Sequence, residues 1–459
     1  MLPMGVATTY RVPGRSRGVG RVSSGSAFSP GPRVVLALSL MSVIVGAACQ
    51  PLQPPGTGDP AAPPASPAIA SDARLADGGD RAAAAPDAPL VALLVPLSGR
   101  QEPLGTAVRD GFIAASLEAP PGQRFNVMFI DEARVSGAEA HRQALEAGAR
   151  AFVGPLLKET LQALAPLAQL AAESMPGQMP VLALNTLGDD EARVNGLWQF
   201  GLAPEDEARQ VALRATALGQ RRALVLVPAS DWGQRLLAAF SAEFARGGGV
   251  IVDSRTYLPG TADYSQPIRS LLQTTEARPV PASPANPAES LAFGPGRRPD
   301  ADLLFLASNS SNGRQLVPQL KFFGAADLPT YSTSAIWDDG SSEADDLNGV
   351  IFPDSPWVIA PDDRALAAKS GLVRHWGRQA LTASRLYGLG YDARQLLPVI
   401  VQSTFPIPLD TGTFRGVTGV LYADPAGRIH RRLSFAQVRG GRAVPLPDAT
   451  APAITAIDP

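Results

Sequence analysis

Short apolar runs alternate with helical patterns along most of the chain. Residues 90–95 form an unbroken apolar run, and apolar residues then recur at helical spacing over 104–115. A run of this length predicts a buried strand, and the periodicity that follows it predicts a helix. The same unit recurs over 125–147 and 151–171, and a further strand is predicted at 181–184. This alternation predicts an α/β fold in which helices cover both faces of a parallel sheet.

A second series of the same kind begins after residue 201. It contains predicted helices at 205–218, 232–244, 264–272 and 315–323, and predicted strands at 223–227, 250–257, 302–307, 330–333 and 349–352. Two helical patterns at 366–376 and 381–401 then precede a predicted hairpin made of 420–422 and 433–438. We expect these two helices to rejoin the first lobe and the hairpin to return to the second lobe.

These patterns predict a body of two lobes, and the chain crosses between the lobes three times. The first lobe is assigned to residues 89–200 and 356–412, and the second lobe to 201–355 and 413–459. Residues 273–299 are rich in Pro, Ala and Ser, and we interpret them as a low-complexity insertion on the surface of the second lobe. A chain of 459 residues is long enough for two lobes and for non-globular ends.

The first 48 residues have the composition of an export signal. Residues 34–48 form an uncharged apolar run, preceded by five arginines and too short for a comfortable membrane span. The small residues at its end lead directly to Cys49, an arrangement that resembles a bacterial lipobox. We therefore expect a lipoprotein signal peptide over 1–48 and a lipid anchor on Cys49. The alternative is an ordinary secretory signal that is cut near Ala47-Ala48.

Composition narrows the possible partners. Residues 49–88 are rich in Pro, Ala, Gly and Asp without periodicity, which predicts a disordered tether. The formal net charge is -2, and because all five charges of residues 1–48 are arginines, the remainder is more acidic. A mildly acidic body argues against a nucleic-acid partner. The single cysteine excludes an intramolecular disulfide and a thiolate metal cluster.

The sequence lacks motifs for catalysis, cofactors and metals. It has no Walker phosphate loop, dinucleotide fingerprint, HExxH or paired CxxC motif. The three histidines, His141, His375 and His430, lie in separate segments and outside any recognisable nucleophile motif. We therefore expect no catalytic residue, no cofactor and no metal. An enzyme with an unrecognised cleft chemistry is the weakest of three hypotheses, because no motif supports it.

Loops at the carboxyl ends of parallel strands collect ligand contacts, so the predicted strand ends define a candidate cleft between the lobes. The side chains predicted to line it are Ser98, Asn185, Thr186, Trp232, Asn309 and Tyr331. For Ser98 the alternative is a helix-capping hydroxyl, and for Trp232 it is packing at the start of a helix. A ligand in this cleft would be a small molecule.

Several segments, taken in their order along the chain, resemble the penicillin-binding protein activator lipoproteins, the LpoA or LppC family. They include VALLVPLSG at 91–99, FVGPLLKETLQAL at 152–164, ALVLVPASDWGQRLLAAF at 223–240, DLLFLASNSSNGRQLVPQLKFFG at 302–324 and SRLYGLGYDA at 384–393. The resemblance runs from about Leu90 to about Pro445. It implies a type I periplasmic binding protein fold of the leucine-binding kind.

The resemblance also implies a function, which is to contact a class A penicillin-binding protein from the outer membrane and stimulate peptidoglycan synthesis. Better-known members carry a helical-repeat domain where this sequence has residues 50–88. The alternative is a solute receptor for an ABC transporter, which uses the same fold and anchor. Three residues argue against amino-acid capture. Such a receptor needs a hydroxyl where this sequence has Lys158 and Glu159, and it needs an acid near Ala335. A receptor needs convergent hydrogen-bonding groups in its cleft, whereas an activator does not.

Overall fold

The computed structural model describes residues 88–174, 179–188, 194–274, 297–338, 344–378, 384–402 and 414–449. The predicted signal peptide, Cys49, the predicted tether and most of the 273–299 insertion lie outside these residues. The strands of the described ranges form two sheets, one of eight strands and one of seven. Helices pack against these sheets and complete a separate set of hydrophobic cores in each lobe.

The first sheet begins with a regular alternation of strands and helices. Its strands are β1 (Leu90–Val95), β2 (Asn126–Asp131), β3 (Ala151–Val153), β4 (Val181–Ala183) and β5 (Leu197–Phe200), and its first helices are α1 (Glu102–Glu118), α2 (Gly137–Glu146) and α3 (Lys158–Ser174). The five strands are parallel, in the order β2-β1-β3-β4-β5. Leu93 and Leu94 belong to hydrophobic cores on opposite faces of β1. Burial on both faces explains why β1 is an unbroken apolar run.

The second sheet repeats the arrangement. Its elements are α4 (Pro204–Ala217), β6 (Arg222–Pro228), α5 (Asp231–Arg246), β7 (Val250–Tyr257), α6 (Ser265–Leu272), β8 (Leu303–Leu306), α7 (Ser310–Leu320), β9 (Thr330–Tyr331) and β10 (Ile351–Asp354). The strands are parallel, in the order β7-β6-β8-β9-β10. Several helices of this lobe begin at a side-chain cap, for example α5 at Ser230, whose hydroxyl accepts a hydrogen bond from the N–H of Gly233.

The last part of the chain contributes to both lobes. It contains α8 (Pro356–Ile359), α9 (Asp363–Trp376), α10 (Ser384–Gln402), β11 (Phe414–Arg415), β12 (Val420–Ala423), β13 (Arg428–Arg432), β14 (Ser434–Arg439) and β15 (Arg442–Leu446). Helix α10 packs directly on α1. The two backbones are so close that a Cβ on Gly390 would lie 1.9 Å from the carbonyl oxygen of Val108. Strands β14 and β15 extend the second sheet as antiparallel strands beside β10.

The predicted α/β architecture with two lobes and three crossings is confirmed. The assignment of 413–432 to the second lobe is wrong, because β11, β12 and β13 extend the first sheet and the third crossing falls at Leu433. Strand β13 pairs in parallel with β5, with Ile429 opposite Phe200, which buries Ile429 in the first lobe. The hairpin consists of β12 and β13, without residues 433–438. Short strands of similar composition do not indicate which sheet they join.

A buried carboxylate holds the turn between β11 and β12. Asp392, on α10, accepts hydrogen bonds from the backbone N–H of Val417 at 2.9 Å, from that of Thr418 at 2.8 Å and from the Thr418 hydroxyl at 2.5 Å. A Cβ on Gly416 would lie 2.4 Å from Oδ2 of Asp392, so the approach requires glycine. Burial raises the pKa of Asp392, and the three donors oppose that change. This carboxylate therefore fixes β11 and β12 against the helical layer.

An ion pair network lies beside the third crossing. His430 of β13 places Nδ1 3.1 Å from Asp206 Oδ2 and Nε2 3.2 Å from Asp424 Oδ2, and its ring stacks on Tyr422. Asp206 belongs to α4 of the second lobe, whereas Tyr422 and His430 belong to strands of the first sheet and Asp424 to the turn between β12 and β13. Burial opposes protonation of His430, but the hydrogen bonds to both carboxylates outweigh it and raise the pKa to about 9. The charged imidazolium therefore ties α4 to β13.

We expect Asp392→Ala to lower the free energy of unfolding by about 3 kcal/mol, because three buried donors lose their acceptor. Asp392→Asn keeps one acceptor oxygen and should lower it by less. Asp327, whose side chain is 72% exposed in its ion pair with Arg297, provides a control. Asp327→Ala should change the free energy of unfolding by no more than about 0.5 kcal/mol. Urea unfolding measures all three, and equal losses for Asp392→Ala and Asp327→Ala would contradict the role of the buried carboxylate.

We expect His430 to contribute a component of the free energy of unfolding that depends on pH. Because the pKa is raised from 6.5 to about 9 on folding, this component is complete below pH 6.5 and is lost as pH rises to about 9. His430→Gln should lack it, so the difference in free energy of unfolding between wild type and variant should shrink over that interval. Urea unfolding at pH 6.5 and pH 9 tests this. His375→Gln, on the exposed His375, should keep the wild-type pH dependence.

Candidate functional site

The carboxyl edge of the first sheet carries Ser98 in the loop after β1. Its hydroxyl donates a hydrogen bond to Oδ2 of Asp131 at 2.6 Å, and the N–H of Leu97 donates to Oδ1 at 2.7 Å. Burial opposes ionisation of Asp131, but these donors and the N–H of Ala133 lower its pKa below the usual range. Ser98 therefore binds the loop after β1 to the end of β2.

Glu132 has a similar role one residue further on, and sequence reasoning missed it. Its buried carboxylate accepts hydrogen bonds from the N–H groups of Leu156 and Leu157, both at 3.0 Å. Burial raises the pKa of Glu132, and these two donors oppose the change. The sequence did offer a signal for Glu132, which is an acid directly after a buried strand. Such a residue reaches the loops at the carboxyl edge of the sheet. Glu132 fixes the loop that leads into α3.

Asn185 and Thr186 follow β4 at the same edge. Asn185 donates from Nδ2 to the carbonyl oxygen of Leu156 at 2.8 Å and accepts from the N–H of Thr186 at 2.8 Å. Ser98, Asn185 and Thr186 thus lie on the carboxyl edge of the first sheet, where the sequence places them. The polar atoms of Ser98 and Asn185 bond to neighbouring loops, and a contact of these residues with a ligand stays a prediction.

Of the three candidates of the second lobe, Trp232 and Asn309 follow the carboxyl ends of the adjacent strands β6 and β8, whereas Tyr331 is buried. Trp232 is half-buried and packs against the hydrophobic core of its own lobe. Asn309 is exposed and caps α7, since its side-chain oxygen accepts from the N–H of Asn312 at 2.9 Å. Tyr331 is 1% exposed, and its hydroxyl donates to Gln220, which precedes β6 at the opposite edge of the sheet. The prediction that Tyr331 lines the cleft is therefore wrong, because its side chain lies in the core.

Polar contacts between the lobes centre instead on Arg385, a residue that sequence reasoning did not select. It begins α10 in the first lobe and reaches Asp354, the last residue of β10 in the second lobe. Its Nη2 lies 2.6 Å from Oδ2 and its Nε 3.1 Å from both oxygens of that carboxylate. Nη2 also donates to the carbonyl oxygens of Ser334 at 3.1 Å and Trp337 at 3.0 Å. These four residues are here called the inter-lobe network.

Glu207 of α4 holds the same region from the second lobe. It is 5% exposed and accepts hydrogen bonds from the N–H and the hydroxyl of Ser334, at 2.8 and 2.9 Å. Nη2 of Arg431, on β13 of the first sheet, lies 3.8 Å from its Oε1. Burial raises the pKa of Glu207 to about 7, Arg431 lowers it and Asp354 raises it. Ser334 is thus bound on one side by Glu207 and on the other by Arg385.

Within the described ranges, no group of three or more His, Cys, Asp or Glu side chains is placed to hold a metal ion. No helix in those ranges has both the length and the apolar character that a bilayer span requires. The polar groups at the edges of the two sheets mainly fix loops and join the lobes.

The two lobes have known relatives. The family model described as "LppC putative lipoprotein" matches residues 86–441. A protein named penicillin-binding protein activator LpoA from Haemophilus influenzae is 30% identical over 362 residues, which is 78% of this chain and 55% of the relative. One of the same name from Photobacterium profundum is 29% identical over 351 residues, 75% of this chain and 55% of the relative. The chain therefore spans about half the length of these relatives.

Solved structures share the fold. The C-domain of LpoA from Haemophilus influenzae, described as a regulator of PBP1A, is 26% identical with a TM-score of 0.58, over 78% of this chain and 99% of that chain. An ABC transporter substrate-binding protein from Sphaerobacter thermophilus, 18% identical with a TM-score of 0.57 over 78% and 96% of the two chains, is similar in fold alone. Because the family model covers both lobes, the chain belongs to the LppC lipoprotein family.

Proposed function

We propose that this protein is a non-enzymatic lipoprotein of the cell envelope that activates a class A penicillin-binding protein and so regulates peptidoglycan synthesis. The observation that carries the proposal is the family match along residues 86–441, through both lobes. A relative that matches over the same body is described as a regulator of PBP1A. An activator of this kind acts through a protein surface and needs no catalytic group of its own.

The geometry of the cleft supports a protein partner over a captured solute. A solute receptor needs polar groups that are free to converge on its ligand. In this chain Ser98 bonds to Asp131, Asn185 bonds to the loop after β3, and Asn309 caps α7. These bonds stabilise the receptor-like body itself. Lys158 and Glu159 also stand where an amino-acid receptor of this fold needs a hydroxyl.

The proposal includes the place of the protein in the envelope. Residues 1–48 would direct export, and acylation of Cys49 would anchor the protein in the periplasm, at the outer membrane. Residues 49–88 would then serve as the tether from which the two lobes reach a synthase in the opposite membrane. At about 3.3 Å per residue when fully extended, a segment of this length could reach across roughly 130 Å.

A binding experiment with the full chain tests the partner. The tagged, membrane-extracted protein should capture a purified class A penicillin-binding protein and increase its rate of peptidoglycan synthesis. Amino acids and muropeptides should leave the melting temperature unchanged, because the polar groups of the cleft already have partners. Asn185→Ala should leave capture and stimulation at wild-type values, since the proposed interaction uses the outer surface.

The opposite results would favour the solute receptor. A large rise in melting temperature with one amino acid, lost in Asn185→Ala, would place a ligand at the carboxyl edge of the first sheet. If the protein also failed to capture or stimulate the synthase, the proposed activation would be wrong.

We expect Cys49→Ser to release the protein from the membrane, because the diacyl group can be attached only to a cysteine. In cell fractionation the wild-type chain should sediment with the outer membrane, and the variant should appear in the periplasmic fraction. Ser66→Ala, in the proposed tether, is the control and should sediment as wild type does. Equal sedimentation of Cys49→Ser and wild type would contradict the lipid anchor.

A further inference from the structure

Arg385 is fixed in the first lobe by the packing of its helix. Helix α10 lies against α1 with Gly390 close to the backbone of Val108, and its apolar side chains, among them Leu389 and Ala393, are buried in the first-lobe core. The base of the Arg385 side chain therefore cannot move without displacing this core. Its side chain, which is 28% exposed, places the guanidinium against the second lobe.

Asp354, Ser334 and Trp337, whose oxygen atoms accept from Arg385, belong to the second lobe. Asp354 ends β10, and Ser334 and Trp337 follow β9. Asp354 is only 2% exposed, so its charge is largely removed from water. A fork-shaped guanidinium on a carboxylate constrains direction as well as distance, and a buried carboxylate without its partner is strongly destabilising. The contact therefore resists both separation and rotation of the lobes.

A second connection supports the first from the other side. Glu207, on α4, holds the N–H and hydroxyl of Ser334, whose carbonyl oxygen accepts from Arg385. Arg431 of the first sheet faces Glu207 at 3.8 Å. The first-lobe cations Arg385 and Arg431 thus face the second-lobe carboxyl groups of Asp354 and Glu207. These two pairs are linked through Ser334 and cross the lobe boundary, as the His430–Asp206 pair does.

These contacts lie at the points where the chain changes lobes. Glu207 follows the first crossing, Asp354 directly precedes the second, and Arg431 precedes the third at Leu433. Lobes that hinge about their crossings must rearrange whatever bonds lie beside them. A solute receptor obtains the energy for closure from its ligand, whereas this chain forms the inter-lobe network from its own side chains.

We propose that Arg385 is a positioning residue that holds the two lobes at one fixed angle, and that the partner binds a surface which both lobes form at that angle. The inference about the partner rests on the proposed function. The inference that Arg385 fixes the lobe angle concerns the chain alone. A rigid two-lobed surface loses little conformational entropy when the partner binds, which favours affinity. Loosening the network would spread the lobes over several angles and reduce the fraction that is competent to bind.

Pulsed electron paramagnetic resonance on the full chain measures the lobe angle directly. With Cys49→Ser to remove the native thiol, spin labels are placed at Gln162→Cys on α3 and Ala238→Cys on α5, both exposed positions. The parent should give one narrow distance distribution, without any added ligand. Arg385→Gln should broaden it about twofold, because released lobes sample hinge motions.

A matched control separates this effect from a general loss of an ion pair. Arg222 bonds to Asp302 at 2.9 Å within the second lobe, so Arg222→Gln breaks a more exposed ion pair without touching the boundary. Its distance distribution should equal that of the parent. If Arg385→Gln folds poorly, adding Asp354→Asn removes the unpaired buried carboxylate, and this double variant should be folded yet broad. A double variant as narrow as the Arg222→Gln control overturns the role of Arg385 in holding the lobe angle.

Capture of the class A synthase is then measured on the same variants. Arg385→Gln should weaken capture about tenfold, within the range of coupling between a conformational equilibrium and binding, while Arg222→Gln should not. A broadened distribution with unchanged capture overturns the inference that the partner binds both lobes at a fixed angle. A parent that is narrow but captures no synthase overturns the proposed activation, and leaves the role of Arg385 in setting the lobe angle supported.

Discussion

Leu93 and Leu94 point to opposite faces of the first sheet, and both are fully buried. A parallel strand buried on both faces needs helices on either side, and its backbone groups need neighbouring strands as partners. In the first lobe some of these elements, α10 and β11 to β13, come from far along the sequence. The chain therefore returns to the first lobe after the second has been started. Three crossings between the lobes are the consequence.

The crossings bring charged groups into the interior. Glu207, Asp354 and Arg431 are almost completely buried beside them, and each would be costly without a partner. The partners come from the other lobe, since Arg385 pairs with Asp354 and Arg431 faces Glu207. These ion pairs also join the lobes. A defined lobe angle thus accompanies folding and needs no ligand.

The use of polar side chains within the body also bears on function, which the fold alone does not determine. A body of this shape can serve a solute receptor or a protein activator, because function depends on the site and not on the architecture. In this chain the side chains at the carboxyl edges of both sheets are used for loops and caps, as Ser98 and Asn309 are. Under the proposed function, a partner would bind the surface outside the cleft.

Local patterns in the sequence determined the strands, the helices and the two-lobed class, because burial on both faces or on one helical face leaves a periodic apolar signal between neighbours. Residues 90–95 and 250–257 match β1 and β7 at both ends. The sequence did not indicate which sheet β11 to β13 join, which way Tyr331 points from a two-residue strand, or that Arg385 meets Asp354. Those are contacts between residues distant in sequence. Only the folded path of the chain brings their polar groups within hydrogen-bonding distance, and no local periodicity records them.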